Sequence, residues 1–200
     1  MNDKYVITVN RQFGSLGRPI AARAAELLNI EYYDRDIVDE TAKSRSLPVS
    51  VISNEEESAK TAFFRMKYPL GLGTSKVQDE IFYTQKKIIS EIAEKKTCII
   101  VGRCSDYILA NIKNSVHIYI YAPYEDRLRN CTDNLKMEYD EARKMIAEVD
   151  KARASYHKHY TGYFPDDPDH MDLIINSSLL GVEGTAYLIK TIAERKFNIS

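Results

Sequence analysis

Gly14 and Gly17 lie in the segment NRQFGSLGRPI, with Arg11 before them and Arg18 directly after. Residues of these types at this spacing suit anion binding. The glycines let the backbone turn tightly and approach a phosphate closely. The arginines supply charge. A full Walker A loop reads GxxxxGK followed by Ser or Thr. Here no lysine follows Gly17, and Pro19 replaces the magnesium-binding hydroxyl. The third glycine of a dinucleotide fingerprint is missing too. A plain glycine-bearing turn with two surface arginines accounts for the same residues.

The other polar clusters exclude several chemistries. Cys98, Cys104 and Cys131 contain no CxxC pair, and the spacing of His117, His157, His159 and His170 gives no zincin pair. The formal charge of -1 provides no global field for nucleic acid. The apolar runs fall far short of the ~20 residues that span a bilayer. MNDKYVITV does not read as a signal peptide. The expectation is a cytoplasmic protein that binds small molecules, without nucleic-acid or membrane partners. Whether it forms a homo-oligomer is not legible.

The elements that position these residues follow from periodicity. YVITV at 5–9 predicts a strand buried on both faces. A helix is expected from about 18 to 29, with Pro19 suited to its first turn. IEYY at 30–33 predicts a second strand, and Asp34 or Asp36 suits the cap of a helix at 36–46. Helices at 76–95, 103–110, 124–132, 138–160 and 181–194 alternate with strands at 97–102, 115–122 and 172–178. The helix at 138–160 shows few strong apolar anchors. Strand–helix alternation predicts an α/β fold, a parallel five-stranded sheet in three layers with helices on both faces. Ligands of such sheets bind beyond the carboxyl ends of the strands, where Gly14–Arg18 and the Gly102–Arg103 pair both fall.

The run ITVNRQFGSLGRPIAARAAELLNIEYYDRDIV resembles the opening of the cytidylate kinase-like family. IIVGRCSDYIL, IYIYAPYEDRL, residues 150–162 and DLIINSSLLGVEG resemble the same family in the same order. The resemblance is weakest over 45–80. It implies a P-loop kinase type fold and a single nucleoside monophosphate kinase-like domain over 1–200. A small helical, acceptor-binding lobe is expected at about 36–75 and a helical lid at about 134–168. It also implies MgATP as donor.

By that resemblance, Arg11, Gly14, Ser15, Leu16, Gly17 and Arg18 form the phosphate loop, although the family places glycine where Leu16 stands. Gly17 falls roughly where the lysine of cytidylate kinases stands, and Arg18 near the hydroxyl position. Asp34, Arg35, Gly102, Arg103 and Asp106 face the acceptor. Arg18, Arg127 and Arg153 are the catalytic candidates. Asp150, Arg153, His157 and Tyr160 belong to the lid, and Asn176 and Ser177 to the donor-base region. No direct metal ligand is implied; Ser15 or Asp34 would meet magnesium through water. The implied activity is phosphoryl transfer from ATP to a nucleoside monophosphate, CMP or dCMP first. The alternatives are a kinase for another small molecule and a non-catalytic relative that binds nucleotide or phosphate.

Overall fold

A computed structural model of the chain describes residues 4–34 and 75–199. Strand β1 (Val6–Arg11) is buried along the VITVN run, as its β-branched density requires. Helix α1 (Gly17–Leu28) buries Ile20, Ala21, Ala24 and Ala25 on one stripe. It stops at Asn29, whose φ of 52° is a left-handed cap. Next come β2 (Glu31–Tyr33), α2 (Ser75–Lys95), β3 (Cys98–Val101) and α3 (Ser105–Ile108). They are followed by β4 (Ser115–Tyr121) and α4 (Tyr124–Arg129), which runs into a π-helical turn at Asn130–Asn134. The chain then forms α5 (Tyr139–Thr161), β5 (Leu173–Asn176) and α6 (Gly181–Phe197).

The sheet has five strands in the order β2-β3-β1-β4-β5, and every pairing is parallel. Helices cover both faces, in the P-loop kinase manner. On one face α1 and α6 pack Ile20, Ala24 and Ile189 against Ile7 and Val9. On the other, Ile88, Ile89 and Ile92 of α2 meet Val6, Cys98 and Ile100. β1 is central, and its pairings run to Val9 against Val101 and Arg11 against Ile120. The carboxyl ends of β1, β3 and β4 therefore emerge side by side, and everything described next sits on that rim.

Three elements differ from expectation. The segment after β3 turns helical only at Ser105, because Gly102, Arg103 and Cys104 have φ values of 74°, 59° and 54°. Residues with positive φ cannot themselves belong to a right-handed helix, so it starts only after them. The helix after β4 widens at Asn130, which places that side chain against Gly14. Helix α5 is better anchored than its charge suggests. Ala142, Met145, Ile146 and Val149 are buried together with Phe13, Leu128 and Cys131. The expected helix at 36–46, Arg35, Asp36 and all of the 36–75 lobe except its last residue lie outside the described residues.

Candidate phosphate site

The loop between β1 and α1 has its carbonyls tied down. Arg153 Nη1 donates to the Arg11 carbonyl at 3.2 Å, and Arg127 Nη1 to that of Phe13 at 3.3 Å. Asn130 Nδ2 donates to Gly14 O at 2.9 Å, and Ser177 Oγ to Ser15 O at 2.7 Å. Ser15 Oγ donates to Gln12 O at 3.0 Å, and the Ile20 amide to Leu16 O at 3.0 Å. The Phe13 amide is taken by Asp150 Oδ1 at 2.7 Å. The amides of Gly14, Ser15, Leu16 and Gly17, by contrast, have no partner among the described residues. A loop with its acceptors occupied and its donors open at a helix start is an anion cradle.

Gly14 is required here. Its φ is 77°, and a Cβ would lie 2.8 Å from Arg127 O and 3.0 Å from Cys131 Sγ. Leu16 also adopts a left-handed φ, 59°, at the position where the resemblance expects glycine. That conformation costs about 1–2 kcal/mol for an L-residue. The Leu16 side chain offsets part of it by packing on the core under α1.

Arginines crowd this rim. Burial pushes the Arg11 guanidinium well below its ordinary range, and the positive charges of Arg153, Arg103 and Arg18 push it further. Arg11 is hemmed in by protein yet retains some solvent-accessible surface, as a side chain on a cleft floor does. Arg18 pairs with Asp34, which is buried and also accepts from Tyr32 Oη at 3.3 Å. Burial, then the Asp34 charge, pushes the Tyr32 phenol up to about 12. Arg153 lies over the Phe13 ring at 5.9 Å. Burial lowers its pKa, with Asp150 opposing. Arg103 is 7% exposed at the end of β3.

Beside Arg103 is a buried polar knot. Asp106 Oδ2 receives His157 Nε2 at 2.9 Å and Tyr163 Oη at 2.9 Å. His157 Nδ1 sits 3.0 Å from the Tyr163 carbonyl. Burial alone would raise the Asp106 carboxyl, but the bonds from His157 and Tyr163, with the Asn10 side chain close by, hold it below the usual carboxylate range. This knot fastens the end of α5 to α3, the short helix that follows β3.

The structure thus brings Arg11, Arg18, Arg103, Arg153 and the Gly14–Gly17 loop together. Arg127 and Asp150 sit behind the loop, paired with each other and bonded to Phe13. Tyr160 stacks on Phe82 with centroids 4.0 Å apart and donates to Asp79 Oδ1 at 2.9 Å. Ser177 is a peg between the Ser15 and Tyr121 carbonyls, while Asn176 Oδ1 accepts from the Ser178 amide at 3.0 Å. The Ser15 hydroxyl is fully buried against Gln12 O and Ile120 O. Among the described residues no cluster of three or more His, Cys, Asp or Glu side chains could hold a metal ion. No helix among them is long and apolar enough to cross a membrane. Sequence reasoning missed Asn10, Asn130 and Tyr163. A polar residue ending an apolar strand was a usable signal for Asn10; local sequence gave none for the others.

Residues 6–179 match the pattern of the Cytidylate kinase-like family. A protein named cytidylate kinase from Staphylothermus marinus is 24% identical over 179 residues, 88% of each chain. An uncharacterized protein from Eubacterium ventriosum has a similar crystal structure, with TM-score 0.70 and 22% identity. That match covers 96% of this chain and 98% of the other. Shikimate kinase from Acinetobacter baumannii, solved with shikimate, shares the fold at TM-score 0.53 and 12% identity, covering 98% of this chain and 95% of its own.

Proposed function

The chain belongs to the cytidylate kinase-like family, and from that premise we propose that it transfers a phosphoryl group from ATP to a small anionic acceptor. The observation that carries this reading is the set of four guanidiniums, Arg11, Arg18, Arg103 and Arg153, around a loop whose amides stand open. Phosphoryl transfer needs positioning and charge neutralisation more than covalent chemistry. The amides of Gly14–Gly17 hold the donor phosphates, with Arg18 and Arg153 closing on them. Arg103, on the neighbouring strand end, takes the anionic group of the acceptor, where a rigid guanidinium fork meets two oxygens. Asp34 sets the direction of Arg18, and Asp150 and Arg127 keep the loop in shape. Residues 134–168 act as the lid.

The open amides and the arginines fit a triphosphate. Bound magnesium would neutralise phosphate charge during transfer. It would be carried on the phosphates, with Asp34 the candidate contact through water. The relative named cytidylate kinase is only 24% identical, and shikimate kinase shares the fold, so the acceptor is a class, small anionic molecules, rather than CMP alone. CMP is the second reading, favoured by the name of the Staphylothermus marinus relative.

The test is a coupled assay of MgATP against CMP, dCMP, UMP, shikimate and sugar phosphates. The expected result is saturable transfer to one of them, lost in Arg103→Ala. ATP binding without transfer to any acceptor would turn the reading into that of a nucleotide-binding relative.

A further inference from the structure

The loop lacks the lysine of a Walker motif, and by the family resemblance Gly17 stands roughly at its position. Gly17 opens α1 and is buried. A Cβ at Gly17 would lie 2.6 Å from Arg11 Cβ and 3.0 Å from Arg11 Cγ. No side chain fits at 17 while residue 11 carries a β-carbon, and the Arg11 stem fills that space. The Arg11 guanidinium then runs on to Gly102, where a Cβ would collide with its Nη1. Arg11 thus threads past two glycines, its stem closing the space at Gly17 and its guanidinium lying over Gly102, whose φ of 74° itself suits glycine. Arg18, the other candidate beside the loop, is more than half exposed and turns to Asp34.

We propose that Arg11 supplies the phosphate-binding cation that a Walker loop draws from its lysine, and that Gly17 is glycine because Arg11 occupies that lysine's space. The exchange is reciprocal: the cation moves from the helix start to the strand end, and the glycine moves the other way. Arg11 reaches from the donor loop to Gly102, next to Arg103. Its charge therefore lies between the proposed donor and acceptor sites, where a transferred phosphoryl group must pass. This rests on the phosphotransferase reading above. It adds which residue carries the lysine's part and why that residue cannot coexist with a side chain at 17.

The test measures binding of MgATP and of inorganic tripolyphosphate to the full chain by calorimetry. The variants are Arg11→Gly, Arg11→Met, Gly17→Lys and the double Arg11→Gly/Gly17→Lys, each checked for folding by thermal melting. Losing a charge-assisted contact predicts roughly tenfold to hundredfold weaker binding in Arg11→Gly and Arg11→Met. Arg11→Met keeps most of the stem, so its loss reports charge rather than packing. Gly17→Lys alone melts lower, because its side chain meets Arg11. The double variant regains at least tenfold in affinity over Arg11→Gly. Two results overturn the exchange while leaving the phosphate site intact. One is wild-type affinity in a folded Arg11→Met; the other is a folded double variant no tighter than Arg11→Gly. Wild-type protein that binds neither probe overturns the phosphate reading itself.

Discussion

Two residue-level arrangements make opposite demands on a substitution. Gly14 is held by conformation and by space, so Gly14→Ala meets both a positive φ and the Arg127 carbonyl. A destabilisation of roughly 1–3 kcal/mol is expected, read as a lower urea midpoint with unchanged slope. His157 is held by chemistry. Its Nε2 faces a carboxylate oxygen of Asp106, and its Nδ1 faces a carbonyl. The Nε2–H donates to the carboxylate, and Nδ1 also lies 3.1 Å from the Thr161 hydroxyl. His157→Ala strips a buried carboxylate, 2% exposed, of one of its donors. Tyr163 still donates, which limits the loss to roughly 2–4 kcal/mol. A side chain that only touched substrate phosphate would behave differently: His157→Ala would weaken ATP binding and leave the melting temperature in place.

At the scale of elements, the phosphate loop is shaped by helices that follow it by more than a hundred residues. Asp150 of α5 takes the Phe13 amide and pairs with Arg127 of α4, which in turn donates to the Phe13 carbonyl. Asp150→Ala removes the amide's acceptor and leaves a nearly buried guanidinium without its partner. The expected cost is roughly 2–3 kcal/mol, below that of a fully buried pair because Asp150 keeps 27% of its side chain exposed. Asp150→Asn retains an acceptor for Phe13 and should lose about half as much. Urea titrations of the two variants separate the amide bond from the ion pair; equal losses would mean that the amide bond contributes nothing. This arrangement also explains what was legible in the sequence. The strands and most helices were, because their periodicity is local. The glycine turn was legible because strand, glycines and arginines are contiguous. Arg127 as a catalytic candidate and Asp150 as a lid residue were visible only by resemblance, since nothing local shows that they face the back of the loop. The fit of Arg11 between Gly17 and Gly102 depends on the β1–β3 register and could not be read from spacing.

For the whole molecule, buried and half-buried ionisable groups set how stability follows pH, and two of them act in separate windows. His117 lies within β4, with Nδ1 2.8 Å from Thr8 Oγ1 and Nε2 3.2 Å from Ser115 Oγ. Burial lowers its pKa below the ordinary 6.5, with Asp172 and Asp106 opposing. The unfolded chain therefore takes up this proton at a higher pH than the folded one. Stability from His117 is complete above 6.5 and declines as pH falls from there toward the folded value. Asp106 follows in a lower window. Its carboxyl is held below the ordinary 3.8, so its contribution is present above that value and is lost as pH falls beneath it. Unfolding free energy measured by urea at intervals from pH 8 to pH 3 should be flat at the top, sag below 6.5 and fall again below 3.8. His117→Gln removes the first titration and leaves the second, while Asp106→Asn does the reverse at a lower starting stability. The wild-type curve minus the His117→Gln curve isolates the imidazole. If that difference is level from pH 7 to pH 5, His117 is not the group that senses the first window.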